Sequence, residues 1–161
     1  MSKHEIAVTV NGRAVRDTVD SRMTLLDFLR ERARLTGTHM GCEHGVCGAC
    51  SVIYDGVPVR SCSVLAVQAD GKAVTTVEGL TAEDGAPGLL QQAFQDAHAM
   101  QCGYCIPGML VAAHALLEEN PSPDLDEIKE AIGGNICRCT GYVQIVEAIQ
   151  LAAQRMAEAR S

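Results

Sequence analysis

The chain contains no tryptophan, and only three tyrosines and two phenylalanines among its 161 residues, so it offers few flat faces on which nucleobases could stack. It has no basic run: 13 Lys and Arg stand against 20 Asp and Glu, a net charge of −7, which argues against a protein that tracks a phosphate backbone. No stretch approaches the roughly 18 consecutive apolar residues of a membrane span. The opening MSKHEIAVTVNG lacks the apolar core of a signal peptide, because Val8, Thr9 and Val10 alternate and Asn11-Gly12 follows at once. A soluble, cytoplasmic chain that inserts into no membrane and binds no nucleic acid is expected. No nucleophile–base pair, carboxylate pair or P-loop is visible, so the chain alone is expected to catalyse nothing.

Cysteine is abundant by contrast, with eight residues. A hydrophobic content of 47% supports one ordinary domain or two small ones, and two small ones need staples. Disulfides in a secreted chain or metal ligands in an intracellular one are the two ways cysteine supplies them.

Residues 5–10 alternate apolar and polar, Asn11-Gly12 is a hairpin turn and 13–19 can return as the partner strand. A short amphipathic helix follows from Thr24, with Leu25, Leu26, Phe28 and Leu29 facing a core and Thr24 and Asp27 spaced as a cap pair. Strands at 51–54 and 57–61 flank Asp55-Gly56, and 73–77 supplies a fifth strand. Three glycines and a proline in GLTAEDGAPG, residues 79–88, mark the point where the apolar period changes from about two to about 3.6. The expected organisation is a sheet domain over 1–79, a linker over 80–88 and a helical domain over 89–161. Helices are predicted at 89–99, 107–118, 124–132 and 142–158, making a small bundle. The fold class is α+β.

The cysteines fall into two sets of four. Cys42, Cys47, Cys50 and Cys62 are spaced C-x4-C-x2-C-x11-C, and the opening C-x4-C-x2-C is the plant-type ferredoxin spacing for a [2Fe-2S] cluster. Gly45 and Gly48 can take positive φ and turn amide N–H groups toward the sulfurs of this anionic centre. Cys102, Cys105, Cys137 and Cys139 form C-x2-C-x31-C-x1-C. Each of these pairs precedes a predicted helix, with Pro107 suited to the first turn of one and Thr140-Gly141 opening the other, so the helix dipoles are expected to lower the thiol pKa values. The two halves suggest an approximate two-fold arrangement. A four-cysteine zinc site is the rival, but C-x4-C-x2-C and C-x1-C make poor zinc knuckles, and disulfides seldom crowd three cysteines into nine residues.

GCEHGVCGAC, QCGYCIPG and GNICRCTGY resemble the signature segments of the iron-sulfur subunit of the molybdenum hydroxylases, the xanthine dehydrogenase and aldehyde oxidoreductase family. The resemblance extends over roughly residues 5 to 155. It implies a β-grasp ferredoxin domain followed by a four-helix bundle. It implies further that Cys42, Cys47, Cys50 and Cys62 hold one [2Fe-2S] cluster near FAD, and that Cys102, Cys105, Cys137 and Cys139 hold a second near a molybdopterin cofactor. Both organic cofactors would sit on partner chains, a large molybdopterin-binding and a medium FAD-binding subunit, in a heterotrimer or a dimer of heterotrimers. Electrons would run from molybdenum through the helical-domain cluster and the β-grasp cluster to FAD. Gln101 would hydrogen-bond the pterin and Cys139 would link the nearer cluster to it. Relatives commonly carry Thr or Ser where this chain has Ile106, so a hydroxyl able to cap the following helix, worth about 1 kcal/mol, is absent. CEHGVC also differs from the loops of carbon monoxide dehydrogenases, which favours an aldehyde or N-heterocycle enzyme. A free-standing two-cluster shuttle and a zinc-held interaction module are the alternatives.

His39 and His44 flank the first set and are expected to be solvated loop residues, since four cysteines already satisfy that site without a Rieske-type pair. His114 is expected to be a satisfied histidine of the bundle, and Met100, Met109 and Met156 to be core filler. Arg138 is either a surface charge or an offset to cluster charge.

Overall fold

The computed structural model describes residues 2–82 and 84–160. The predicted limits Met1 and Ser161, and Glu83 in the predicted linker, lie outside them. Five strands, β1 (Lys3–Val10), β2 (Arg13–Asp20), β3 (Ser51–Tyr54), β4 (Val57–Arg60) and β5 (Ala73–Thr75), form one sheet in the order β2-β1-β5-β3-β4. The sheet is mixed: β1 and β5 run parallel, and the other pairs are antiparallel. Both predicted hairpins are present, turning at Asn11-Gly12 and Asp55-Gly56 with positive φ throughout, the geometry that matches strand twist.

Alternation along β1 buries Ile6, Val8 and Val10 on one face. They pack with Val19, Val52, Val74, with Leu25 of α1 (Leu25–Asp27) and with Phe28 and Leu29 of the turn that continues it. Thr24 caps α1: its Oγ1 accepts from Asp27 N at 3.1 Å and donates to Asp27 Oδ2 at 2.7 Å. The helix does not run on to Leu35 in α geometry. Phe28–Arg32 form a π turn in which Ala33 N bonds Phe28 O, and the Arg30 guanidinium draws the chain out by holding the carbonyls of Thr36 and Thr38, each at 2.8 Å. Strand β5 likewise stops at Thr75. Asn11 pairs with Thr76, accepting from its amide and donating to its hydroxyl, and Val77–Leu80 coil into a 3-10 turn.

The second half comprises α2 (Leu89–Asp96), α3 (Ile106–Glu119), α4 (Leu125–Ile132) and α5 (Val143–Arg160). Phe94, Met109, Ile128, Ile145 and Ile149 are fully buried in a second apolar core, separate from that beneath the sheet. Met156 packs against it as expected, but Met100 is 41% exposed because the chain leaves α2 at Asp96 and loops toward the cysteines. His114 is half-buried and faces a cleft shared with Val57 and Arg60 of β4. Helix α4 starts on a reciprocal box: Asp124 Oδ1 accepts from the amides of Asp126 and Glu127 at 2.9 Å, and Glu127 Oε2 accepts from Asp124 N at 2.7 Å. Asp124→Ala should cost about 1 kcal/mol, read as a lower urea midpoint with an unchanged slope.

Candidate metal centres

The first quartet is assembled by a loop and a hairpin. Loop 41–50 curls around Cys42, whose Sγ receives the amides of His44, Val46 and Cys47 at 3.4, 3.4 and 3.3 Å. The Cys47 amide, then those of His44 and Val46, pull this thiol down to about 6. Gly45, at φ +74°, turns its amide onto Cys62 Sγ at 3.2 Å, as the sequence predicts. The x11 gap between Cys50 and Cys62 is the β3–β4 hairpin itself. Ser51 pairs with Arg60 across it, and Ser61 donates to the Cys50 carbonyl from both its amide, at 3.2 Å, and its hydroxyl, at 2.7 Å. Burial pushes the Cys50 thiol up to about 11.

The second quartet comes from two loops. Cys105 is the cap residue of α3, with Pro107 in the first turn, and Cys137 and Cys139 lie between α4 and α5. Cys139 Sγ is 3.5 Å from Cys102 Sγ, and Cys137 Sγ is 3.2 Å from the Thr140 hydroxyl. The Tyr104 amide lowers the Cys102 pKa. Burial works upward on Cys137, but the Thr140 hydroxyl and the amides of Thr140 and Cys139 bring the net shift downward. Cys105 goes the other way, to about 12, because burial dominates at the cap, so the expected lowering by the helix dipole does not hold there. The two halves are not equivalent either: Gly141 and Tyr142, at φ +61° and +70°, separate Cys139 from the start of α5 at Val143.

Within each quartet the sulfurs meet in pairs. Cys42 neighbours Cys47 and Cys50 neighbours Cys62; Cys102 neighbours Cys139 and Cys105 neighbours Cys137. Two thiolates for each of two metal ions is the donor arrangement of a binuclear iron-sulfur cluster. A structural zinc ion takes four thiolates about one centre, whereas the sulfurs here approach one another two by two. Amides aimed at sulfur further suit an anionic centre partly withdrawn from water. The residues therefore fit two such clusters.

Cys102 and Cys139 are exposed while Cys105 and Cys137 are buried. A cavity of about 220 Å³ brings Gly41 and Cys47 of the first loop against Tyr104, Cys105, Ile136 and Cys139 of the second site. His39 is not a free loop residue: its Nδ1 donates to the Tyr104 carbonyl at 2.8 Å and its ring stacks, tilted by 31°, on that of Tyr104. The Tyr104 hydroxyl donates to the Met40 carbonyl. His44 remains exposed, with Nδ1 on the Cys42 carbonyl. Arg138 is exposed on the cavity rim, and Gln101 is exposed beside Cys102. Ile106 is the first residue of α3, 7% exposed, one place past the cap, so a hydroxyl there would not occupy the capping position. Sequence reasoning missed Arg60, Asn135 and Tyr104. Asn135 carries the only signal, a polar residue beside a ligand pair in GGNICRC.

Residues 8–81 match the family described as a 2Fe-2S iron-sulfur cluster binding domain, and residues 76–150 match that described as a [2Fe-2S] binding domain. The chain is 55% identical over 153 residues to the caffeine dehydrogenase subunit gamma of Pseudomonas sp. (strain CBB1), covering 93% of this chain and 91% of that one. It is 56% identical over 145 residues to the nicotine 6-hydroxylase small subunit of Paenarthrobacter nicotinovorans, covering 90% and 87%. Among solved structures it is similar to a chain of quinoline 2-oxidoreductase from Pseudomonas putida 86, with a TM-score of 0.92, 46% identity and 99% of both chains covered. The aldehyde oxidoreductase of Desulfovibrio desulfuricans ATCC 27774 matches at a TM-score of 0.91 and 41% identity, over 96% of this chain but 17% of that one. Two cysteine quartets with paired sulfurs, and two 2Fe-2S family matches end to end, have one meaning: the chain belongs to the iron-sulfur subunits of the molybdenum hydroxylase and xanthine dehydrogenase family and is part of an oxidoreductase.

Proposed function

We propose that the chain is the electron conduit of a multi-subunit molybdenum hydroxylase that oxidises an N-heterocyclic substrate. Cys102, Cys105, Cys137 and Cys139 would hold the cluster on the side of a molybdopterin-binding large partner subunit, and Cys42, Cys47, Cys50 and Cys62 would hold the cluster on the side of an FAD-binding medium subunit. When bound, each cluster supplies one-electron redox chemistry. The chain contributes the rest: amides on Cys42 and Cys62 that favour the thiolate, a hairpin that brings Cys50 to Cys62, and burial that keeps water from Cys105 and Cys137.

The observation carrying this reading is that the second site is open on one side and joined to the first on the other. Exposed Cys102 and Cys139, flanked by Tyr104 at 50% and Ile136 at 54% exposure, offer an apolar face to a partner, and the exposed Gln101 beside them would hydrogen-bond a pterin. The organisation that serves it is a β-grasp lobe over 1–79, a linker over 80–88 and a four-helix bundle over 89–161; the separate apolar cores support that division. No helix among the described residues is long and apolar enough to cross a membrane, in keeping with a cytoplasmic complex. The substrate class rests on the caffeine, nicotine and nicotinate relatives, at 50% identity or above.

Affinity purification from the native host tests the reading. Co-elution with a molybdopterin-binding and an FAD-binding chain, and turnover of N-heterocycles ahead of aldehydes, is the expected result. A red-brown protein that elutes without partners points instead to a free shuttle.

A further inference from the structure

The two cysteine loops touch through a small polar cluster that holds no ligand residue. Arg60, at the end of β4, reaches across from the sheet to the helices: Nη1 donates to Ser51 Oγ at 2.7 Å, and Nη2 donates to the Gly134 carbonyl at 2.7 Å and to Asn135 Oδ1 at 3.4 Å. Asn135, 1% exposed, answers by donating from Nδ2 to the Gly48 carbonyl at 3.2 Å. That carbonyl also accepts from Ser51 Oγ at 2.6 Å. Arg60, Ser51 and Asn135 thus tie the Gly48 and Gly134 carbonyls together. Its effect is to lay Gly134–Ile136 along Cys47–Gly48, where the Ile136 amide donates to the Cys47 carbonyl at 2.9 Å. Cys47 belongs to one quartet, and Ile136 is bonded to Cys137 of the other. One hydrogen bond and the covalent bonds of three residues therefore connect sulfur to sulfur.

We propose that Arg60, acting through Asn135, is a positioning residue for electron transfer between the two sites, fixing the Cys47–Ile136 hydrogen bond that couples them. The inference rests on the two-cluster reading above. The step is the passage of one electron from a reduced centre on the Cys102 quartet to an oxidised one on the Cys42 quartet, with no bond made or broken and no proton moved. A fork-shaped donor suits the task because it bridges two acceptors at once, which a lysine ammonium on a flexible stem does less rigidly. Partly buried polar networks of this kind weaken sharply when one member is removed, since the remaining groups lose their partners.

The test uses the full chain carrying its clusters, as wild type, Arg60→Lys, Arg60→Met and Ser51→Ala. Iron content and each cluster's own paramagnetic signal report whether the sites are intact. The spin–spin splitting between the two reduced centres, and hydrogen exchange at the Ile136 amide, report the coupling. The expected result is intact sites in every variant, with splitting and Ile136 protection lost in Arg60→Met and partly restored in Arg60→Lys. Any variant at position 60 that keeps both signals, wild-type splitting and wild-type protection at Ile136 overturns the proposal. If Arg60→Met fails to hold its clusters, the Arg60→Lys and Ser51→Ala pair decides: unchanged splitting and protection in both overturns it, and weakened coupling in both supports it. A wild type without two paramagnetic signals would instead overturn the two-cluster reading, so the two failures are distinct.

Discussion

Replacing Cys137 by Ser removes one of two paramagnetic signals from the reduced protein and leaves the other, with iron falling to about half. Cys137 sits beside Cys105, receives Thr140 and is 9% exposed, so an oxygen there places a poorer donor at the buried side of the site. The first quartet draws its support from elsewhere: the amides on Cys42 come from residues 44–47, and that on Cys62 comes from Gly45. Cys47→Ser is the mirror experiment and removes the other signal. Electron paramagnetic resonance of both variants, with circular dichroism to confirm folding, checks the partition. Loss of both signals from one substitution in a folded protein contradicts it.

The second large effect comes from a residue that bears no chemistry. A Cβ at Gly108 would lie 2.1 Å from the Gly48 carbonyl oxygen and 2.7 Å from Asn135 Nδ2. The obstructing oxygen cannot retreat, because Ser51 binds it through both its amide and its hydroxyl. Gly48 is constrained in turn, at φ +77° with a virtual Cβ 2.6 Å from the Gly134 carbonyl. Gly108→Ala should therefore destabilise by about 3 kcal/mol, at the upper end of ordinary overpacking, and lower the melting temperature by roughly 10 °C. Calorimetry of the variant checks this; an unchanged melting temperature would mean that α3 and loop 41–50 are not in contact.

Legibility in the sequence followed the range of the interactions. The hairpins at Asn11-Gly12 and Asp55-Gly56, the Thr24–Asp27 cap and the positive φ of Gly45 are set by neighbours in the chain and can be read from it. Both cysteine quartets were visible for the same reason, since loop spacing encodes how sulfurs can converge. The insertion of β5 between β1 and β3 was not, because strand order depends on pairings between residues far apart. Nor were the Arg60–Gly134 and Asn135–Gly48 bonds, made across 74 and 87 residues. The rise at Cys105 escaped notice because burial, unlike a helix start, leaves no local pattern. His39 reads as a solvated residue because nothing near it in the chain announces Tyr104, 65 positions on. What the sequence hides is thus how the two halves meet.

Chemical analysis of anaerobically prepared full-length protein tests the central claim most directly. Eight paired sulfurs holding two binuclear centres predict about four irons and about four acid-labile sulfides per chain. Zinc in place of iron, or iron and sulfide at half that level in undamaged wild-type protein, would contradict it.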